Sequence, residues 1–219
     1  LARALVERLP VPLTVDLEGG YAEAPGVVAA LAAELADLGV AGINLEDGRL
    51  GHLRPLEDHA AIIDAVAAAA PTLFVNARTD TYWLHIGPEE QRLAETTRRL
   101  AAYAAAGASG MFVPGLTDLD QIATVADTVA LPLNVLWHPE ADLTTLGAAG
   151  VCRVSTGSAL YRHALAAALT AAEAARNGSQ PATVPVSYEH LQQRLPAAPS
   201  GTGDPARPPV PFPANPLNL

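Results

Sequence analysis

The sequence lacks the features that identify several large classes of protein. A single cysteine, Cys152, leaves no basis for a disulfide framework or a cysteine-rich metal site. No apolar run reaches the roughly 18 residues of a membrane-spanning helix, because Glu, Asp and Arg interrupt the alanine-rich segments. The net charge of −10 argues against a nucleic acid or an anionic membrane as the partner. The amino end is a basic amphipathic segment rather than a signal peptide, so we expect a soluble, cytoplasmic protein.

Apolar residues, half of the 219, follow a regular alternation of strand and helix patterns. Strands are predicted at 12–18, 42–46, 72–78, 110–113, 131–136 and 151–155, and helices at 25–38, 56–69, 88–106, 118–129, 143–148 and 158–176. This alternation predicts an α/β fold in which helical crossovers join parallel strands. A (β/α)8 barrel and an open doubly wound sheet both satisfy it.

Polar side chains stand two residues apart at the carboxyl ends of three of these strands. The pairs are Asp16 with Glu18, Asn44 with Glu46 and Asn76 with Arg78, and Asn134 lies on the fifth strand. Residues two apart on a strand share one face, and in a barrel these faces converge on the mouth, where active sites lie. A doubly wound nucleotide fold would instead carry a glycine fingerprint after its first strand, which this chain lacks. The pattern favours the barrel, with a solvated strand end as the alternative for Asp16 and Glu18.

The count of strands falls short of a closed barrel. Six strand–helix units are visible, whereas closure requires eight, and an incomplete barrel leaves an unpaired edge. Residues 1–9 have the pattern of a helix that leads into the first visible strand, so we expect about two units before residue 1. We assign 1–177 to the barrel, 178–195 to a linker with a helix at 187–195, and 196–219 to a proline-rich disordered tail.

Six short motifs occur in the order that one known family shows. They are Val-Asp-Leu-Glu-Gly-Gly-Tyr (15–21), Gly-Ile-Asn-Leu-Glu-Asp (42–47), Asn-Ala-Arg-Thr-Asp (76–80), Phe-Val-Pro-Gly (112–115), Pro-Leu-Asn-Val (132–135) and Arg-Val-Ser-Thr-Gly (153–157). Together they closely resemble the isocitrate lyase/phosphoenolpyruvate mutase superfamily over roughly residues 1–195. The resemblance implies a (β/α)8 TIM barrel that uses Mg2+, with Mn2+ as a substitute. Its members make or break C–C or P–C bonds in small 2-oxo or 2-hydroxy carboxylates.

Matched by position, the resemblance also implies a metal shell. Asp16, Glu18 and Glu46 would hold the ion, partly through water, because Mg2+ prefers oxygen ligands and retains several waters. Substrate contacts would come from three further residues on the strands. These are Asn76, Arg78 and Asn134.

Arg78 has the central catalytic role in this interpretation. It would grip the substrate carboxylate and face the developing enolate. Cleavage beside a carbonyl builds negative charge on oxygen, which a divalent cation and a guanidinium stabilise in the transition state. The structural alternative for Arg78 is an ion pair with Glu46 or Asp80 across the barrel mouth.

The loop after Glu46 departs from the lyases of this family. Those enzymes carry a Lys-Lys/Arg-Cys-Gly sequence whose cysteine is the catalytic acid, whereas residues 47–53 read Asp-Gly-Arg-Leu-Gly-His-Leu. We therefore expect a carbon–carbon lyase that is not a true isocitrate lyase and that cleaves an oxaloacetate-like acid. His52 is a candidate proton donor to the product enolate, with plain solvent exposure as the alternative. The rival interpretation is a non-catalytic relative that binds a carboxylate or contributes only an oligomer interface.

The carboxyl-terminal helices predict self-association. In the resembled family the last helix packs on a neighbouring subunit. The helices predicted at 158–176 and 187–195 both carry apolar residues at helical spacing, and a linker with Gly and Pro separates them. We therefore expect a homo-oligomer, a dimer or tetramer, with Tyr188, Leu191 and Leu195 at the contact.

Overall fold

The computed structural model describes residues 1–181 and 185–194 and divides them into two compact units. The first unit comprises residues 1–155, and the second begins at Thr156. The predicted tail at 196–219 and Leu195 lie outside the described residues, so those assignments stay predictions. Within the described ranges, no helix is long and apolar enough to span a membrane.

The first unit holds a six-stranded parallel sheet and six helices. Its elements, in chain order, are α1 Ala2–Val6, β1 Thr14–Asp16, α2 Pro25–Asp37, β2 Gly42–Glu46, β3 Gly48–Arg49, β4 His52–Leu53, α3 Leu56–Ala69, β5 Phe74–Arg78, α4 Glu89–Ala105, β6 Gly110–Val113, α5 Leu119–Thr128, β7 Leu133–Leu136, α6 Leu143–Ala148 and β8 Val151–Ser155. The sheet order is β1-β2-β5-β6-β7-β8, and β3 and β4 form a separate antiparallel hairpin. The second unit holds α7 Ala159–Arg176 and α8 Tyr188–Arg194.

The end of β1 differs from the sequence prediction. Leu17 still donates a backbone hydrogen bond to the carbonyl oxygen of Asn44 at 3.0 Å, but the next residue leaves the extended conformation. Glu18 has φ 48° and Gly20 has φ 88°, both in the left-handed region. The expectation that Glu18 continues the strand alternation of Asp16 is therefore wrong, because Glu18 belongs to the turn.

The sheet has one apolar face and one polar face. Ile43 and Leu45 of β2 and Val75 and Ala77 of β5 are buried in the core with helical residues. Those helical residues include Val28, Ala32, Ile62, Ile63, Val66, Leu100 and Tyr103. Successive strand residues point to opposite sides, so the polar residues between them share the other face.

The polar face is concave. Arg153 on the edge strand β8 donates a hydrogen bond to Oγ1 of Thr14 on the opposite edge strand β1, at 3.4 Å. In a flat sheet with four strands between them, these edges would stand about 24 Å apart, well beyond the reach of one arginine. The sheet therefore curves as a barrel wall does. The fold is that of a (β/α)8 barrel, as predicted, and the described residues supply six of its strands.

Gly42 offers a test of the strand packing. A Cβ at this position would lie 2.7 Å from the carbonyl oxygen of Phe74 on the neighbouring strand. Gly42→Ala should lower the unfolding free energy by roughly 1–3 kcal/mol, seen as a lower urea midpoint. Gly26→Ala in α2 is the matched control, because its methyl group meets nothing within 4 Å and helical alanine is preferred to glycine. Equal midpoints for the two variants would contradict the close approach of β2 and β5.

Candidate active site

Strand register places the polar residues in two rows across the concave face. One row joins Asp16, Asn44, Asn76 and Gly110, and the other joins Glu46, Arg78, Phe112, Asn134 and Arg153. Residues in register on neighbouring parallel strands lie side by side. The sheet therefore gathers the strand residues of the predicted site at the carboxyl ends of β1, β2, β5 and β7.

Arg78 forms ion pairs with two acidic residues. Its Nη1 lies 2.8 Å from Oε2 of Glu46, and its Nε and Nη2 lie 2.6 Å and 3.2 Å from the two carboxylate oxygens of Asp80. The guanidinium also stands 5.6 Å from the centre of the Phe112 ring. The ion pairs that sequence analysis offered as the structural alternative are thus both present. They hold the guanidinium in one orientation, which suits a binding role as well.

The acidic residues around Arg78 repel one another. Burial raises the pKa of Glu46 to about 7, although the Arg78 guanidinium lowers it. The negative charges of Asp80, Asp16 and Glu18 raise it further. Burial also raises the pKa of Asp80, against the hydrogen bond from Arg78. Asp16 and Glu18 are exposed, as the alternative of a solvated strand end predicts, whereas Glu46 is partly buried and Asp80 is buried. The charges of the other three carboxylates all act on Glu46, against the one guanidinium of Arg78.

The donor atoms of this cluster suit a hard divalent cation. The pKa of the Tyr21 hydroxyl is raised, first by burial and then by the negative charges of Glu18, Asp16 and Glu46. These three acids therefore act on the same group. Among the described residues, no three acidic, histidine or cysteine side chains converge closely enough to hold an ion between them. Mg2+ commonly takes one or two protein carboxylates and keeps its waters, so the residues fit such an ion. The three-residue metal shell stays a prediction.

The other predicted site residues differ in their surroundings. Asn76 donates its amide N–H to Oδ1 of Asn44 at 2.8 Å, which fixes its side chain. Asn134 is 1% exposed, and neither polar atom of its side chain has a hydrogen-bond partner among the described residues. An unpaired buried amide costs about 1–3 kcal/mol, so Asn134 has capacity for a polar ligand. His52 is exposed on β4, opposite Arg49, and its proton-donor role stays a prediction.

A buried polar cluster behind the site was not predicted from the sequence. Asp47 is 1% exposed, and its Oδ2 accepts hydrogen bonds from the Tyr103 hydroxyl at 2.7 Å and from Nη1 of Arg99 at 3.2 Å. The same oxygen accepts from the Thr79 hydroxyl at 2.8 Å, and Oδ1 accepts from the backbone N–H of Asp80 at 2.9 Å. The available signal was Arg99, a charge four residues before Tyr103 on the buried face of α4.

A curved parallel sheet with acidic residues and an arginine at the carboxyl ends of its strands defines a protein of the (β/α)-barrel class. The chain belongs to the phosphoenolpyruvate mutase/isocitrate lyase superfamily. The family model described as phosphoenolpyruvate phosphomutase matches residues 1–176. The resemblance stated from the motifs is thereby confirmed.

Individual relatives support this membership. An uncharacterized protein of Mycobacterium tuberculosis is 41% identical over 196 residues, which cover 89% of this chain and 72% of that protein. A crystal structure from Burkholderia cenocepacia J2315, provisionally assigned as a phosphonomutase, is 37% identical with a TM-score of 0.73. The match covers 78% of this chain and 74% of that one.

Two further relatives are lyases with assigned reactions. A 2-methylisocitrate lyase of Bacillus subtilis is 32% identical over 143 residues, 60% of this chain and 44% of that enzyme. An oxaloacetate decarboxylase of Chromohalobacter salexigens is 32% identical over 175 residues, 74% of this chain and 58% of that enzyme. The chain thus belongs to an enzyme family of lyases and mutases and spans about half the length of these two members. None of these relatives is an isocitrate lyase.

The raised pKa of Glu46 predicts a pH-dependent stability. The folded state keeps the Glu46 proton up to about pH 7, whereas an ordinary glutamate loses it near 4.5. The resulting stabilisation is complete below 4.5 and is lost as pH rises through about 7. Glu46→Gln should therefore reduce the fall in unfolding free energy between about pH 5 and about pH 8, measured by urea titration without divalent metal.

A matched control comes from α3. Glu57→Gln removes an exposed acid in the first turn of that helix and should leave the pH dependence unchanged. Identical pH dependence in Glu46→Gln and the parent chain would contradict the raised pKa of Glu46.

Proposed function

We propose that this barrel serves a Mg2+-dependent lyase that makes or breaks a C–C (or P–C) bond in a small 2-oxo or 2-hydroxy carboxylate through an enolate. The observation that carries the proposal is the Arg78 guanidinium, held between Glu46 and Asp80 at the carboxyl end of the sheet. The similarity to a 2-methylisocitrate lyase and an oxaloacetate decarboxylase supports C–C cleavage.

Arg78 has donors to spare for a substrate. A guanidinium carries five N–H groups. Among the described residues, Glu46 and Asp80 take three of them, one each on Nη1, Nε and Nη2. The remaining two are directed by a side chain that is already fixed. A donor that needs no reorientation as an enolate forms stabilises the transition state more than the ground state.

The charge of the cluster explains why a cation is needed. Four carboxylates, those of Asp16, Glu18, Glu46 and Asp80, stand against one guanidinium, and an anionic substrate would be repelled. Asp16, Glu18 and Glu46 would hold Mg2+ or Mn2+ and offset that repulsion. When bound, the ion supplies Lewis-acid polarisation at the carbonyl oxygen.

The asparagines and His52 complete the proposed roles. Asn76, fixed by Asn44, and Asn134, with its unpaired amide, would orient the polar groups of the substrate. Bond cleavage leaves its electron pair on the enolate. Protonation of the enolate carbon by His52 on the exposed hairpin, or by water, then gives the product.

The chemistry predicts a defined substrate preference. With Mg2+, the chain should release pyruvate from oxaloacetate and should leave isocitrate and 2-methylisocitrate uncleaved, because residues 47–53 hold no cysteine acid. Asp16→Ala should abolish Mg2+ binding in calorimetry. Arg78→Lys should retain Mg2+ and lower turnover by roughly 100-fold, because lysine cannot reproduce the guanidinium fork.

Asp127→Ala is the control, since it removes an exposed acid on α5 and should keep both binding and turnover. Unchanged Mg2+ affinity in Asp16→Ala would refute the metal site. Glyoxylate release from isocitrate would refute the prediction that a loop without cysteine at 47–53 does not support cleavage of isocitrate. Mg2+ binding without turnover of any of these acids would favour the non-catalytic relative.

The second unit carries the proposed oligomer contact. Tyr161, Leu165 and Leu169 stand four residues apart on α7 and are 69%, 45% and 57% exposed. Leu191 on α8 is 50% exposed. An apolar stripe of this kind is ordinarily covered, and a second copy of the chain is the proposed cover.

Two truncations test this assembly. A chain ending at Asn177 lacks α8 and should have a lower oligomeric mass, whereas a chain ending at Pro196 retains α8 and should keep the parent mass. Static light scattering measures both. If both truncated chains keep the parent oligomeric state, α8 does not mediate assembly.

A further inference from the structure

Asp47 contacts three consecutive residues at the end of β5. Its backbone N–H donates to the carbonyl oxygen of Arg78 at 3.2 Å. Its carboxylate accepts the Thr79 hydroxyl at 2.8 Å and the backbone N–H of Asp80 at 2.9 Å. Asp47 thus hydrogen-bonds to the carbonyl group of Arg78, the side chain of Thr79 and the backbone amide of Asp80. Arg78 and Asp80 themselves form an ion pair of the site.

The side chain of Asp80 also depends on this neighbourhood. A Cβ at Gly48, the residue after Asp47, would overlap the Asp80 carboxylate. Because Gly48 has no side chain, the Asp80 carboxylate can lie against the backbone at that position. There it accepts a hydrogen bond from Nε of Arg78 at 2.6 Å.

The same cluster reaches the turn beside the acidic residues of β1. Nη1 of Arg99, which pairs with Asp47, also donates to the carbonyl oxygen of Arg54 at 3.0 Å. The Arg54 guanidinium in turn donates to the carbonyl oxygens of Gly19 at 3.2 Å and Ala22 at 3.4 Å. A connected set of hydrogen bonds therefore joins the ends of β1, β2 and β5 from behind the site.

We propose that Asp47 is a positioning residue, whose buried carboxylate fixes segment 78–80 and thereby the orientation in which Asp80 holds the Arg78 guanidinium. The inference rests on the proposed function only for the catalytic use of Arg78. A purely structural Asp47 would serve to neutralise Arg99, and the geometry of Arg78 would not depend on it. A buried ion pair that only neutralises charge can often be replaced by apolar residues without loss of stability. The hydrogen bond from the Asp80 amide to Asp47 is therefore the contact that separates a positioning role from a purely structural one.

The test is proton exchange at Nε–H of Arg78, measured by NMR on the full chain without metal or substrate. Arg78→Lys assigns the signal by removing it. Asp47→Asn keeps the shape of the side chain but turns an amide toward the donors of Thr79, Arg99 and Tyr103. It should accelerate exchange at Arg78 by roughly tenfold or more, because the Asp80 ion pair loosens.

Val125→Ala is the matched control, because it destabilises the fold through a cavity in α5 without touching the cluster. If Asp47→Asn lowers the urea midpoint as Val125→Ala does but leaves exchange at Arg78 unchanged, Asp47 only supports the fold and the proposal is overturned. Should Asp47→Asn fail to fold, Tyr103→Phe decides, since it removes a single donor to Asp47. Faster exchange at Arg78 in that variant supports the proposal, and unchanged exchange overturns it.

Kinetics give a second readout. Asp47→Asn should lower kcat by roughly tenfold, because the Arg78 guanidinium loses its fixed orientation. An unchanged kcat in a folded Asp47→Asn variant would overturn the proposal. Since the exchange measurement needs neither metal nor turnover, failure of the proposed function in the parent chain leaves that measurement decisive.

Discussion

The ion pair between Arg78 and Glu46 is the interaction on which the polar end of the sheet depends. The two residues are direct register partners on β2 and β5, so the pair spans adjacent strands at the point where these strands end. Burial raises the pKa of Glu46 to about 7 even with this partner, and the charges of Asp80, Asp16 and Glu18 raise it further. Without the guanidinium the cluster would have no cation of its own among its described contacts.

That constraint links stability to the proposed chemistry. Glu46 is partly buried and Asp80 is buried, and a fold tolerates buried carboxylates only where an arginine or a bound cation compensates. Arg78 pairs with both. A site that binds an anionic substrate beside such acids needs still more positive charge. The acidic cluster and the proposed divalent ion therefore have one electrostatic cause, because the ion would supply the positive charge that the cluster lacks.

The buried cluster around Asp47 shows how the strands are held while their ends remain polar. Arg99 and Tyr103 reach it from α4, and Thr79 reaches it from the end of β5. Paired in this way, both carboxylate oxygens of Asp47 accept hydrogen bonds from the protein, as buried polar groups ordinarily do. Connections between segments therefore lie on both faces, since the polar residues of the concave face also pair across strands.

Residue patterns alone predict the six strands of the main sheet, their alternation with helices and the strand positions of the polar residues other than Glu18. Alternation of apolar residues with Asn44, Glu46, Asn76 and Arg78 is a local property, and a period of two assigns each face without knowledge of the partner strand. The predicted ends of the strands were less accurate. The left-handed backbone at Glu18 and the hairpin at 48–53 depend on turns, which the two-residue alternation of a strand does not indicate.

The pairing of charges does not follow from these patterns. Arg78 forms ion pairs with both Glu46 and Asp80. Asp47 accepts hydrogen bonds from residues 79, 99 and 103, which lie 32 to 56 residues further along the chain. A sequence pattern reports what a residue can do on its own element. It does not report which side chain from another element will lie next to that residue, because the distance between the two is set by the curvature of the sheet and the packing of α4 against it.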